Sequence, residues 1–230
     1  MNPIELLHQL SIFAIPLLFA ITLHEAAHGW AAYYYGDRTA WYLGRLSLNP
    51  IRHLDPVGSV ILPLLLLFLR SPFLFGWAKP VPVNSRNLTK PRWQLPMIAL
   101  AGPAANILMT CLWALIAKLC LLSVDYSVLR SIPAWQWLLS CCSAGIQVNI
   151  VLAVFNLLPI PPLDGSKVLA CLLPRAFQPV LEFLEDYGIA LLLILLMTGI
   201  LGSIISPLLL WSIRATFRLF NLYDLIFLTA

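Results

Sequence analysis

The fold class this sequence predicts is an all-α polytopic membrane protein: a bundle of four to six transmembrane helices with a re-entrant element and short extended segments. Two observations and one physical constraint carry that expectation. Of 230 residues, 60% are hydrophobic and only 10% are charged, whereas soluble domains carry about 25% charged residues. Apolar stretches recur from end to end, several of them long enough to cross a hydrocarbon layer of about 30 Å. Unpaired backbone polar groups are costly in lipid, so segments that cross it are expected to be helices.

Four stretches meet that length, at about residues 10–35, 95–122, 134–158 and 188–211. The first is too long and lacks the basic leading region of a cleavable signal peptide, so it is expected to be a retained span. Trp30, Tyr33, Tyr34, Tyr35, Trp41 and Tyr42 gather at its end, as in an interfacial aromatic belt. Residues 45–50 (RLSLNP) alternate in polarity and predict a short strand. The apolar piece 57–75 is interrupted by Pro63, Arg70 and Pro72. Its uninterrupted run is too short to cross, which suits an element that enters the membrane and returns. Residues 77–84 (WAKPVPVN) are expected to be extended, because Pro80 and Pro82 disfavour helix in the residues before them. The piece 217–230 is short enough to lie in the interface or to pack on the bundle. With no repeat and no low-complexity tract, residues 1–230 read as one domain. Its motif-bearing core runs over about 10–173, and its C-terminal helices over about 188–230.

The net charge of +4 comes without any basic run, which excludes a nucleic-acid surface and fits a bias of Lys and Arg towards one membrane face. If 57–75 dips in without crossing, ten of the fourteen Lys and Arg fall on one face, expected to be the cytoplasmic one. Cys111, Cys120, Cys141, Cys142 and Cys171 form no CxxC pair and read as small buried hydrophobes. Glu182, Glu185 and Asp186 read as a solvated face, and His8 as a surface residue.

The sharpest local signal is His24-Glu25-Ala26-Ala27-His28. Residues i and i+4 share a helix face, so two imidazoles can grip one metal ion. Glu25 stands beside them, placed to take a proton from a metal-activated water. Ionisable side chains within a span are costly and point to function. Catalytic zinc usually takes three protein ligands and leaves one position open, so a third ligand is required. His53 and Asp55 are candidates, and Asp164 is the best. It follows Pro159, Pro161 and Pro162, which unwind the end of a span, and non-helical backbone at membrane depth is tolerated only within protein or beside a cavity. The plainer reading of Asp164 is a cap on the helix that follows.

HEAAH in the first span, GPAAN (Gly102, Pro103, Asn106) in a later one and NLLPIPPLDG (Asn156 to Gly165) after it resemble, in order and spacing, the site-2 protease family of intramembrane zinc metalloproteases. The resemblance covers about residues 22–165. LNPIRHLDPVG and GWAKPVPVN further resemble its minimal bacterial subgroup, which lacks accessory domains. It implies one Zn2+ per chain held by His24, His28 and Asp164, with Glu25 as catalytic base. Asn156 would hold the substrate backbone or the oxyanion. Its implied partners are the lipid bilayer and transmembrane protein substrates, cut in regulated intramembrane proteolysis. The implied location is a bacterial inner membrane, with the active site opening to the cytoplasm. The extended segments are expected near that site, where WAKPVPVN offers an edge to an unwound substrate. Asn106 is expected to serve helix packing, and His53 to be structural or to stand at the site's mouth. Ser166 departs from the second Gly that many relatives carry after Asp-Gly. The competing classes are an inactive zinc-binding scaffold, which the intact Glu25 opposes, and a metal transporter. A transporter should spread its polar groups over several depths.

Overall fold

The computed structural model describes residues 3–62, 65, 68 and 76–225. Its helices are α1 (Pro3–Tyr34), α2 (Thr39–Tyr42), α3 (Pro91–Ser123), α4 (Tyr126–Ser131), α5 (Pro133–Asn156), α6 (Asp164–Leu172), α7 (Gln178–Met197) and α8 (Ile200–Phe220). Among the described residues there is no strand. Four segments are long and apolar enough to cross a membrane: Leu7–Tyr34, Pro91–Ser123, Pro133–Asn156 and Ile200–Phe220. The all-α polytopic class is therefore the observed one.

The first three spans match the sequence expectation to within a few residues, and the fourth does not. The apolar stretch 188–211 is cut at Thr198, which caps α7, and at Gly199, which turns the chain with φ at +72°. The spanning helix is Ile200–Phe220, and α7 is a separate helix bearing the acidic cluster. Hydropathy runs unchanged through the break, so only the backbone marks it. The short strand expected at 45–50 is also absent. Ser47 Oγ accepts from the Asn49 amide, and the Asn49 side chain accepts from Ile51 to open a 3₁₀ turn at Pro50–Arg52. These local side-chain bonds offer the backbone an alternative to pairing.

The chain divides into two compact units. One comprises residues 1–20, 104–155 and 204–230. Its apolar core joins Ala114, Ala117, Leu129, Leu139, Ile146 and Ile150 to Phe217, Leu222 and Leu225. The terminal piece thus continues α8 to Phe220 and then packs on this core as far as Leu225; residues 226–230 lie outside the described residues. Within the same unit Asn106 is fully buried, and its Nδ2 donates to Asn149 Oδ1 at 3.0 Å. Asn149 Nδ2 in turn donates to the Gly145 carbonyl at 2.8 Å. The pair ties α3 to α5 in a setting where water cannot serve either amide. Gly145 itself lies under the Trp113 ring, where an added Cβ would collide. Small residues let the two backbones approach, as expected for membrane helices.

The other unit comprises residues 21–103 and 156–203. Here α1 ends on a glycine cap: Gly36 has φ +101°, its amide donates to Tyr33 O, and the Asp37 amide donates to Ala32 O, the six-to-one pattern that satisfies orphan carbonyls. Asp37 then accepts from the Thr39 and Asn84 amides and from Asn87 Nδ2. Residues just after α1 are thereby fastened to residues just before α3. Asp55 caps a turn of π-helix at Pro56–Ile61 by accepting from the Val57 and Gly58 amides. Most of the expected re-entrant element, 63–64, 66–67 and 69–75 with Pro63, Arg70 and Pro72, lies outside the described residues. Residues 76–84 carry no helix, and two of their amides are spent on the preceding loop. Trp77 N donates to Gly58 O and Lys79 N to His53 O.

Candidate metal centre

α1 carries His24 and His28 one turn apart, and α6 opens with Asp164; all three side chains are buried. His24 Nε2 and His28 Nε2 lie 3.1 Å apart, and each lies 3.2 Å from Asp164 Oδ2. Among the described residues these three form the group whose metal-binding atoms converge. A tetrahedral zinc with bonds of about 2.0–2.1 Å holds neighbouring ligand atoms about 3.3 Å apart. The observed triangle therefore has the edges that one ion requires, and the two-nitrogen, one-carboxylate donor set suits zinc.

The surroundings aim these atoms. His28 Nδ1 lies 2.7 Å from the Ile98 carbonyl. A carbonyl only accepts, so Nδ1 carries the proton and Nε2 presents a lone pair to the centre, the usual arrangement of a ligating histidine. Asp164 Oδ1 is 3.5 Å from Lys167 Nζ, one helical turn on, which leaves Oδ2 for the imidazoles. Gly102 lies directly against them. A Cβ there would fall inside van der Waals contact of His28 Nε2 and of His24 Cε1. The glycine of GPAAN therefore makes room for the rings, while Asn106 of the same motif is taken up by Asn149 and the packing of α3 on α5.

The Pro-rich approach to Asp164 is equally constrained. A Cβ on Gly165 would collide with the backbone of Leu157 and Leu158, so the start of α6 is seated on the unwound chain that follows α5. Ser166, where a second glycine was the alternative, is buried and donates from Oγ to Leu163 O at 2.7 Å. Leu163 holds the cap position of α6 with no side-chain bond. The Asp164 carboxylate is thus turned to the imidazoles and not spent as a cap.

The other candidates are placed elsewhere. Asp55 is committed to its π-helical turn. His53 is buried with Nε2 2.7 Å from the Ser47 carbonyl, and serves the loop. Glu25 is half-buried beside the centre in sequence, and its Oε2 accepts from the Val81 amide at 2.8 Å. That bond orients the carboxylate and anchors the WAKPVPVN segment to α1, a contact no local pattern announces. Asn156 is the last residue of α5, eight positions before Asp164. Sequence reasoning also missed the Asp37 tie and the Gly102 approach. The glycine of GPAAN was the available signal for the second.

Comparison with known proteins finds one family and several relatives. The sequence model of Peptidase family M50 matches residues 121–199, a range that includes Asn156 and Asp164. The Bacillus subtilis (strain 168) protein named "Putative zinc metalloprotease YwhC" is 37% identical over 196 residues, covering 85% of this chain and 84% of its own length. The Mycolicibacterium smegmatis protein named "Putative zinc metalloprotease Rip2" is 30% identical over 194 residues, covering 84% and 70% respectively. Its namesake in Mycobacterium tuberculosis (strain H37Rv) is 30% identical over 205 residues, covering 89% and 71%. No solved structure matches the chain.

Proposed function

The chain belongs to peptidase family M50, the site-2 protease family of intramembrane zinc metalloproteases, and from that membership we propose which residues do the work. His24, His28 and Asp164 hold one zinc ion, Glu25 is the general base, and Asn156 supports the oxyanion. The observation that carries this reading is the 3.1–3.2 Å triangle of His24 Nε2, His28 Nε2 and Asp164 Oδ2.

Zinc, when bound, supplies a Lewis acid that acidifies water and polarises a carbonyl. The protein's own groups do the rest. The His28 Nδ1–Ile98 bond holds one ligand ring in the productive tautomer. Glu25, oriented by the Val81 amide, takes a proton from the attacking water and returns it to the leaving amine as the peptide bond breaks. The Asn156 side-chain amide donates to the developing oxyanion or to the substrate backbone. Intrahelical hydrogen bonds shield the carbonyls of a helical substrate, so the substrate must be locally unwound before attack. The substrates are transmembrane proteins and the chain works as one domain over 1–230. It sits in a bacterial inner membrane with the site opening to the cytoplasm.

Glu25→Gln tests the assignment. Co-expressed with candidate single-span proteins, the variant should accumulate no cleavage fragments while the purified protein keeps its zinc. Loss of zinc together with activity would place Glu25 among the ligands and undo the scheme.

A further inference from the structure

We propose that Arg45, Arg52 and Lys79 form a binding site for a phosphate group, as carried by an anionic phospholipid headgroup or by a free phosphate. These residues line an open depression of about 430 Å³ together with Leu43, Gly44 and Leu54. Every ionisable side chain in its wall is a cation. No carboxylate stands within ion-pair distance of any of the three among the described residues. Three cations lining one depression repel one another unless an anion sits among them.

The hydrogen bonds show what the cations still lack. Arg45 Nη2 donates to the Lys79 carbonyl at 2.8 Å, and Arg52 Nη1 to the Gly44 carbonyl at 2.6 Å. Arg45 Nη2 also reaches the Pro80 carbonyl at 3.4 Å, so each guanidinium is held by one arm, and among the described residues no hydrogen bond engages its other nitrogens. Arg45 Nε is buried with no partner among the described residues. A buried N–H on a charged group is costly to leave unpaired, and phosphate offers several acceptors to the planar fork of arginine. Gly44, at φ +63°, closes α2: its amide donates to Trp41 O and the Arg45 amide to Ala40 O. A Cβ there would press on Arg52 Nη1.

The setting favours the lipid source. Leu43 and Ile51 in the depression's wall, and Trp41 and Tyr42 just before Leu43 in the sequence, are all more than half exposed. Exposed aromatic and aliphatic side chains beside clustered cations are the arrangement of a membrane interface, where headgroup phosphates lie. The depression's lining includes none of His24, Glu25, His28 or Asp164.

The test uses the full, zinc-loaded chain in a neutral detergent at constant ionic strength. Short-chain phosphatidylglycerol and inorganic phosphate are titrated separately and followed by calorimetry. Wild type should bind one equivalent of phosphatidylglycerol. The double variant Arg52→Gln/Lys79→Gln should bind it roughly tenfold or more weakly, the loss expected for two charged hydrogen-bonding partners. Arg86→Gln, an exposed cation outside the depression, should match wild type. Saturation by the lipid with weak binding of inorganic phosphate identifies a headgroup site. Equal affinity for both probes identifies a free phosphate; either sustains the proposal. If the double variant also loses zinc, Lys79→Gln alone is read, since among the described residues that ammonium makes no ion pair. Equal binding by wild type and Lys79→Gln, or an equal loss in Arg86→Gln, would overturn the site.

Discussion

Asp164 divides its two oxygens between different partners, Oδ2 to the imidazoles and Oδ1 to Lys167, whereas Asp55 gives one oxygen to two backbone amides. The two carboxylates have similar sequence settings, each near prolines and just before a helix, and the sequence left both open as ligands. Their replacement should separate them. Asp164→Asn is expected to lose most of the bound zinc, because a neutral amide replaces an anionic ligand. Asp55→Asn should keep the metal and cost at most about 1 kcal/mol, as for other helix caps. Metal analysis with thermal unfolding in detergent reads both, and the reverse pattern would make Asp55 the ligand. Gly102→Ala is a second residue-scale prediction. The added methyl must displace His28 Nε2 or His24 Cε1, so zinc content should fall although no ligand has changed. Full zinc occupancy in that variant would show that the rings have room to retreat.

Between elements, the decisive contacts are those of Asp37. Burial alone would raise its pKa, but bonds from Thr39, Asn87 and Asn84 outweigh that and hold it below its ordinary 3.8. A folded-state pKa below the unfolded one means that the carboxylate stabilises the fold above the unfolded value. That stability is lost as pH falls through the folded value. The thermal midpoint of the wild type should therefore fall as pH drops from about 5 towards 3. Asp37→Asn should be less stable at neutral pH by about 1–3 kcal/mol and show a shallower fall with acid. Parallel pH profiles for the two proteins would remove Asp37 from this role. None of this was visible in the sequence, where Asp37 and Asn84 are 47 residues apart.

The same contact constrains the whole molecule. Asp37 follows the span that ends at Tyr34 and bonds directly to Asn84 and Asn87, just before the span that begins at Pro91. The chain between them must start and finish on one membrane face. Single reporter cysteines at Leu48 and at Lys90, in a cysteine-free background, should both be labelled from the cytoplasmic side, the face assigned by the excess of Lys and Arg. Labelling from opposite faces would establish a crossing between them.

Some properties are local enough to be written in the sequence. Composition and apolar length determined that the chain is a set of membrane helices, because lipid leaves the backbone little alternative. The four-residue spacing of His24 and His28 determined that two imidazoles share a face, because helical periodicity sets neighbours within a turn. Tertiary structure decided what periodicity cannot reach. It brought Asp164, and neither Asp55 nor His53, against the two histidines, gave Glu25 the Val81 amide, and set Gly102 under the rings. It also ended α7 at a glycine turn inside an unbroken apolar run. The physical reason is common to all of these. Each depends on backbone geometry or on close approach between segments far apart in the chain, and hydropathy encodes neither.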